Sequence, residues 1–324
     1  MNKPRFAIVG KGALCEAVLE ALNQHQALGH CQVVGLLTEE YLKQNVSKIN
    51  DIAILHAPKG LQEARILSHI QNLWQVDALI IASWGEYIQA QTLQRLAPIQ
   101  VWNLHPSVLP AHRGINPYLA SVLSGETQGG LTLHQMTSRW DEGEILAQVS
   151  FQMNPEADSP QWIAETIAHV PILFEHVISQ IQKVGMQGFI EKSRPQAIWG
   201  SSVHRLALIT QTQLNWDSPL NVMQRQIRAI KGWGHVQLAL SHGFFVEVKG
   251  LCSDYQADAL LKAWHPLSQQ FWWIQAHRLY WKTHRIPMPM PLMCLLFSVL
   301  KVRGYGESPI RRIFCVKTSR FFVM

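Results

Sequence analysis

The runs Phe6-Ala7-Ile8-Val9 and Ala78-Leu79-Ile80-Ile81-Ala82 constrain the fold most, because each is apolar at every position and too short for a helix. Such runs are strands buried on both faces, the situation of a parallel sheet with helices on either side. Residues 5–9 therefore read as a strand, 10–12 as a tight turn, and 13–28 as a helix with apolar positions at Leu14, Val18, Leu19 and Leu22. Further strands are expected at 31–37, 52–55, 76–83 and 100–105, with an amphipathic helix at 61–73 and a short helical crossover before residue 100. This alternation specifies an α/β fold, a doubly wound and mostly parallel sheet. A short helix at 118–123 follows, and strands at 130–136 and 145–151 extend the sheet as a hairpin. Ser159-Pro160 offers an N-cap and a proline at the first helical position, opening a helix to about residue 184 with a kink at Pro171.

The length of 324 residues suits more than one domain, and 48% hydrophobic residues against 15% charged ones supply enough apolar surface for the cores. Residues 1–186 form the expected larger domain, 187–202 a linker, and 203–284 a smaller, β-rich, barrel-like domain. Strands are expected there at 236–240, 244–248, 271–274 and 279–281, with a helix near 227–231. Residues 285–324 form an atypical basic and apolar tail.

The net charge of +6 suggests a nucleic-acid partner until it is located. Eight of the 28 Lys and Arg residues, but one of the 22 acids, lie beyond residue 280, so the first 280 residues carry 20 basic and 21 acidic groups. The main body is close to neutral, which disfavours a large polyanionic partner. Five widely spaced cysteines without a CxxC pair argue against a disulfide framework and a zinc site. The N-terminal apolar run is interrupted too early for a signal peptide, and the apolar stretch at 291–302 is too short to span a bilayer. A cytoplasmic protein with no metal is expected.

Gly10-Lys11-Gly12 lacks the third glycine of a dinucleotide fingerprint, and position 15 is Cys, so a tight strand-to-helix turn is sufficient explanation. The stronger feature is Val101-Trp102-Asn103-Leu104-His105. In an extended strand Asn103 and His105 project together while Trp102 and Leu104 pack behind them. Taken singly, Asn103 could finish a strand end, His105 could cap a carbonyl, and Asp141 could be an ordinary turn acid. Their joint spacing with Leu109-Pro110-x-x-Arg113-Gly114, Gly130-x-Thr132-x-His134 and Asp141-Glu142-Gly143-Glu144-Ile145 carries the functional reading. Leu109–Pro110 could be a cis bond that shapes the loop, with trans the base-rate expectation.

With these elements together, residues 5 to about 185 resemble the folate-dependent N-formyltransferases, the superfamily of methionyl-tRNA, glycinamide ribonucleotide and amino-sugar formyltransferases. The resemblance implies the formyltransferase fold, N10-formyltetrahydrofolate as co-substrate, and a catalytic trio at Asn103, His105 and Asp141. Asn103 would donate to the oxyanion formed when an amine attacks the formyl carbon, and a protonated His105 could donate a second bond. Asp141 would orient His105 and favour its cation. The resemblance also implies a folate pocket at Trp84, Gly85, Tyr87, Ile88, Arg139 and Asp141, and acceptor contacts at Ser107, Arg113 and His134.

The second domain, with Asn215-Trp216-Asp217 and Ile227-Arg228-Ala229, resembles the C-terminal domain of the methionyl-tRNA and amino-sugar branches, so the one-domain glycinamide ribonucleotide enzymes match less well. The segment after the second strand, Leu37-Thr38-Glu39-Glu40, is short and acidic where methionyl-tRNA enzymes carry a basic insertion. A small primary amine, such as a nucleotide-linked amino sugar or a secondary-metabolite amine, is therefore the expected acceptor, and tRNA is disfavoured. A methionyl-tRNA formyltransferase, a formyltetrahydrofolate hydrolase and a folate-binding protein are the alternatives.

Overall fold

The computed structural model describes residues 3–38, 52–56, 61, 63–197, 202–203, 212–239, 244–252, 259–265, 270–281 and 313–315. They fall into two compact units. The first comprises Met1–Ser121, Glu126–Asn154 and Gln161–Arg205, and the second Val122–Gly125, Pro155–Pro160 and Leu206–Met324.

The first unit is built on a seven-stranded sheet. Its strands are β1 (Arg5–Gly10), β2 (Gln32–Thr38), β3 (Ala53–His56), β4 (Ala78–Ala82), β5 (Gln100–His105), β7 (Gln128–Gln135) and β8 (Ile145–Gln152), with a two-residue strand β6 (Arg113–Gly114) outside the sheet. The spatial order is β3-β2-β1-β4-β5-β7-β8. The first five are parallel, and β7 and β8 add an antiparallel hairpin. This is the doubly wound, mostly parallel α/β sheet that the alternation predicts.

Period-two burial explains the apolar runs. Phe6, Ile8, Ala78 and Ile80 join one core with α1 (Gly12–Ala27) and α6 (Val170–Ile190), whereas Ala7, Val9, Leu79 and Ile81 join a second core with α2 (Ala64–His69). Gly10 is fixed by β1 lying close to β4: a Cβ there would stand 1.8 Å from the carbonyl oxygen of Ala82. The glycine thus has a packing cause that requires no nucleotide.

Local differences from the pattern have local causes. The helix expected at 61–73 is α2 followed by a π-helical turn, Ile70–Trp74. The long helix expected from 159 breaks into α5 (Ser159–Ala168) and α6, with Pro171 in the first turn of α6, where its missing N–H costs nothing. Ser159 Oγ donates to the Ala229 carbonyl at 2.7 Å. α6 is interrupted at Gly185, φ 76°, next to the helix end expected near 184, and residues 187–190, expected in a linker, are helical beyond that break. The remaining helices are α3 (Ala90–Leu96) and α4 (Pro117–Ser124), and Ser202–Val203 form β9, which pairs with β6. Leu109–Pro110 is cis, not trans, as is Ala97–Pro98.

The second unit holds α7 (Leu220–Ile230) and a six-stranded sheet of β10 (Gln213–Leu214), β11 (Val236–Ala239), β12 (Phe244–Cys252), β13 (Ala259–His265), β14 (Gln270–Trp281) and β15 (Ile313–Cys315). The order β10-β11-β12-β14-β13-β15 leaves β10 and β15 at its edges, so the described residues show a smaller second sheet with no pairing that closes it into a barrel. Two expected strands merge into β14, and β13 is additional. Lys231 pairs with Asp158 at 2.5 Å and Arg228 with Glu156 at 2.7 Å within this unit. The segment 39–51 and, apart from β15, the expected tail lie outside the described residues. No described helix is long and apolar enough to cross a membrane.

Candidate active site

β5 aims the two motif side chains. Trp102 and Leu104 enter the core beneath α1 and α6, with Trp102 fully buried between Phe6 and Phe189, ring centroids 6.0 and 5.7 Å away. Val101 packs toward the opposite core, which fixes that side of the strand for Asn103 and His105. β7 runs alongside with His134 opposite Asn103 and Thr132 opposite His105. The third participant, Asp141, comes from the loop between β7 and β8 and adopts the left-handed conformation, φ 51°.

The three expected catalytic residues meet. Asn103 Nδ2 donates to Asp141 Oδ1 at 3.1 Å and contacts His134 Nε2 at 3.0 Å. The Gly114 N–H donates to Asp141 Oδ2 at 2.7 Å, and His105 Nδ1 faces that same oxygen at 3.6 Å. His105 Nε2 lies 2.8 Å from the carbonyl oxygen of His112, and because a carbonyl only accepts, Nε2 carries the proton. The neutral ring therefore presents a bare Nδ1 beside the Asp141 carboxylate. By the same reasoning His134 Nδ1–H donates to the Gln135 carbonyl at 2.8 Å, leaving Nε2 to accept from Asn103.

Electrostatics alter one sequence expectation. Burial pushes the His105 imidazole below its ordinary 6.5, offset in part by Asp141 and the His112 carbonyl. The free protein thus disfavours the cation that the sequence reading gave to His105, and leaves a proton acceptor. Burial alone would raise Asp141, but the opposing charge of His105, the contacts from His134 and the Gly114 N–H outweigh it and bring the carboxyl down to about 2. With its folded value depressed, His105 contributes stability that is full above about pH 6.5 and is lost as pH falls below it. The acid limb of kcat/KM is accordingly expected below pH 6.5, and a limb at or above that value in a pH–rate profile would contradict a neutral His105 base.

Gly143 explains the Asp-x-Gly spacing. A Cβ at that position would stand 1.7 Å from the Gln135 carbonyl oxygen, so only glycine lets the loop close onto the end of β7.

The other expected residues divide. Tyr87 and Trp140 are exposed and in ring contact at 5.5 Å, with Tyr87 Oη donating to the Ser138 carbonyl at 2.6 Å, so the loop after β4 and the Asp141 loop adjoin. Trp84 is half-buried with its Nε1–H unpartnered, and the Cβ direction of Gly85 is open. Ile88 is 2% exposed and packs in the second core, while Arg139 lies on the surface paired with Glu142. Ser107, Arg113 and His134, expected toward the acceptor, are bonded internally. Ser107 Oγ donates to the Ala111 carbonyl at 2.6 Å, Arg113 is held by Gln196, and His134 is buried behind Asn103.

A family model described as formyl transferase matches residues 4–172. The chain belongs to the formyl transferase family. Among curated relatives, the methionyl-tRNA formyltransferase of Chloroflexus aurantiacus is 27% identical over 240 residues, covering 71% of this chain and 74% of that one. That of Chloroflexus aggregans is 28% identical over 176 residues, 54% of this chain and only 55% of its own length. Among solved structures, the N-formyltransferase from Helicobacter canadensis, in complex with folinic acid and dTDP-3-aminofucose, superposes with a TM-score of 0.57 at 14% identity, covering 85% of this chain and all of that one. HypX from Aquifex aeolicus gives 0.60 at 14% identity over 94% of this chain and 49% of that one. At these identities the structural likeness is one of fold.

Family membership does not exhaust the site. His112 enters through its backbone carbonyl, a role no side-chain motif signals. Gln196, beyond the matched residues, sits in a stretch that sequence patterning reads as a linker. Nothing in one sequence marks either.

Proposed function

We propose that this chain transfers a formyl group from N10-formyltetrahydrofolate to a primary amine of a small acceptor, such as a nucleotide-linked amino sugar or a secondary-metabolite amine, in the cytoplasm. The observation that carries the reading is the convergence of Asn103, His105 and Asp141 in a chain of this family, with an imidazole nitrogen left bare beside a carboxylate.

Folate would lie against Trp84, Gly85 and Tyr87 and the Arg139–Asp141 loop, where Tyr87 and Trp140 form an exposed aromatic pair. The formyl carbon is the electrophile that the co-substrate supplies. As the amine nitrogen bonds to that carbon, His105 Nδ1 takes its proton, and Asp141 and the His112 carbonyl stabilise the resulting imidazolium. His105 then returns the proton to the departing folate nitrogen as the bond to the formyl carbon breaks. Both Asn103 amide hydrogens are engaged in the free protein, so its donation to the oxyanion requires one to turn from His134 or Asp141 toward substrate.

A second reading, transfer to methionyl-tRNA, is favoured by the names of the curated relatives. The near-neutral first 280 residues argue for the small amine. The deciding assay incubates the protein with N10-formyltetrahydrofolate alone, with aminoacylated methionyl-tRNA, and with a panel of amino-sugar nucleotides. Formylation of a small amine is expected. Formate release that is unaffected by any amine would instead establish a hydrolase, and exclusive formylation of the tRNA would establish the second reading.

A further inference from the structure

The segment after α6 is bonded along its length to the site loop and to β8, which follows it. Ser193 Oγ donates to the Glu144 carboxylate, Arg194 exchanges backbone hydrogen bonds with Ile145 at 3.0 and 2.8 Å, and Arg194 Nη2 reaches Gln148 Oε1 at 2.8 Å. Gln196 then uses its whole amide. Its Nε2 donates to the carbonyl oxygens of Asp141 at 2.7 Å and Gly143 at 2.8 Å, and its Oε1 accepts from Arg113 Nε at 3.0 Å and Nη2 at 2.7 Å. Two donors and two acceptor positions are thereby satisfied, the full capacity of the group.

These bonds close a ring around Asp141. Its carboxylate accepts from the Gly114 N–H, Gly114 follows Arg113, the Arg113 guanidinium holds Gln196, and Gln196 holds the Asp141 carbonyl. A left-handed backbone is unfavourable for Asp by roughly 1–3 kcal/mol and persists only where surroundings over-determine it. Gluing the carbonyl on one side and the carboxylate on the other fixes where Oδ2 points, and therefore its approach to His105 Nδ1.

We propose that Gln196 is a positioning residue of the reaction, whose amide donors hold the Asp141 loop in the geometry that presents the carboxylate to His105. The activity arm of its test rests on the formyl-transfer reading above. The competing explanation is that Gln196 only fastens Arg113, and Gln196→Glu separates the two. A carboxylate keeps or strengthens the Arg113 pair but has no donor for the Asp141 and Gly143 carbonyls and adds negative charge against them.

Gln196→Ala and Gln196→Glu are both expected to stay folded by circular dichroism and to lose about ten- to a hundredfold in kcat, the scale of a misplacement near 1 Å, with the KM for folate within about twofold. In Gln196→Glu the acid limb moves to higher pH, because a nearby anion favours the His105 imidazolium. NMR titration of 15N-labelled histidine reads the same effect without turnover: the His105 titration moves up in Gln196→Glu and down in Gln196→Ala, where a loosened Asp141 supports the cation less. A Gln196→Glu protein with wild-type kcat would overturn the proposal, even where the added charge moves the His105 titration. Inactive wild-type protein with the expected histidine shifts would overturn the formyl-transfer reading and leave the positioning role standing.

Discussion

Turnover of a His105→Ala variant is expected to fall by about a thousandfold, the middle of the range for removing a positioned general acid–base. His105 is 4% exposed, its Nε2–H is bonded to the His112 carbonyl, and its Nδ1 is the bare nitrogen facing Asp141 at 3.6 Å. Alanine also strands the buried His112 carbonyl, which costs about 1–3 kcal/mol, so part of any loss is structural. His105→Gln separates the contributions, because an amide donor can bond that carbonyl but cannot take up the amine proton. A comparable loss in both variants, measured by single-turnover formyl transfer on protein whose circular dichroism matches wild type, identifies the chemical role. Wild-type turnover in His105→Gln would remove His105 from the mechanism.

Asp141→Asn is expected to cost a further-reaching loss, on the order of a hundred- to ten-thousandfold in kcat, together with reduced stability. Both carboxylate oxygens accept from N–H donors, Oδ1 from Asn103 and Oδ2 from Gly114. An asparagine presents one oxygen and one NH2 group, so it sets a donor against one of those donors and withdraws the charge facing His105. Despite burial, the carboxyl is held at about 2 against its usual 3.8 by the charge of protonated His105 and by the bonds from His134 and the Gly114 N–H, so its ionised form stabilises the fold relative to its protonated form. That contribution is present above about pH 3.8 and is lost as pH falls through about 2. Urea unfolding at pH 7 and at pH 3 should therefore separate wild type from Asp141→Asn more widely at neutral pH. An equal gap at both values would show that the Asp141 charge stabilises nothing.

Much of the fold was legible because burial is periodic. Phe6–Val9 and Ala78–Ala82 are apolar at every position since both faces are covered, and β5 keeps Trp102 and Leu104 behind Asn103 and His105 since strand side chains alternate. The breaks were less legible. Pro171 marks a boundary near its position, but whether the chain kinks or starts a new helix depends on what each segment packs against. β13 and the unclosed sheet of the second unit follow from strand pairings between residues far apart in sequence.

The site divides along the same line. By itself the sequence pointed to the family and to Asn103, His105 and Asp141 as neighbours, because spaced residue types such as Asn-x-His and Asp-x-Gly are local patterns that strand alternation and turn geometry convert directly into position. Tertiary structure alone decided that His105 is buried and favours its neutral form, that Asn103 lies opposite His134, and that Ser107 and Arg113 are bonded internally. It also brought in Gln196 and the His112 carbonyl. The physical reason is that desolvation and hydrogen-bond satisfaction depend on all the neighbours in space, and those neighbours come from several separate segments of the chain.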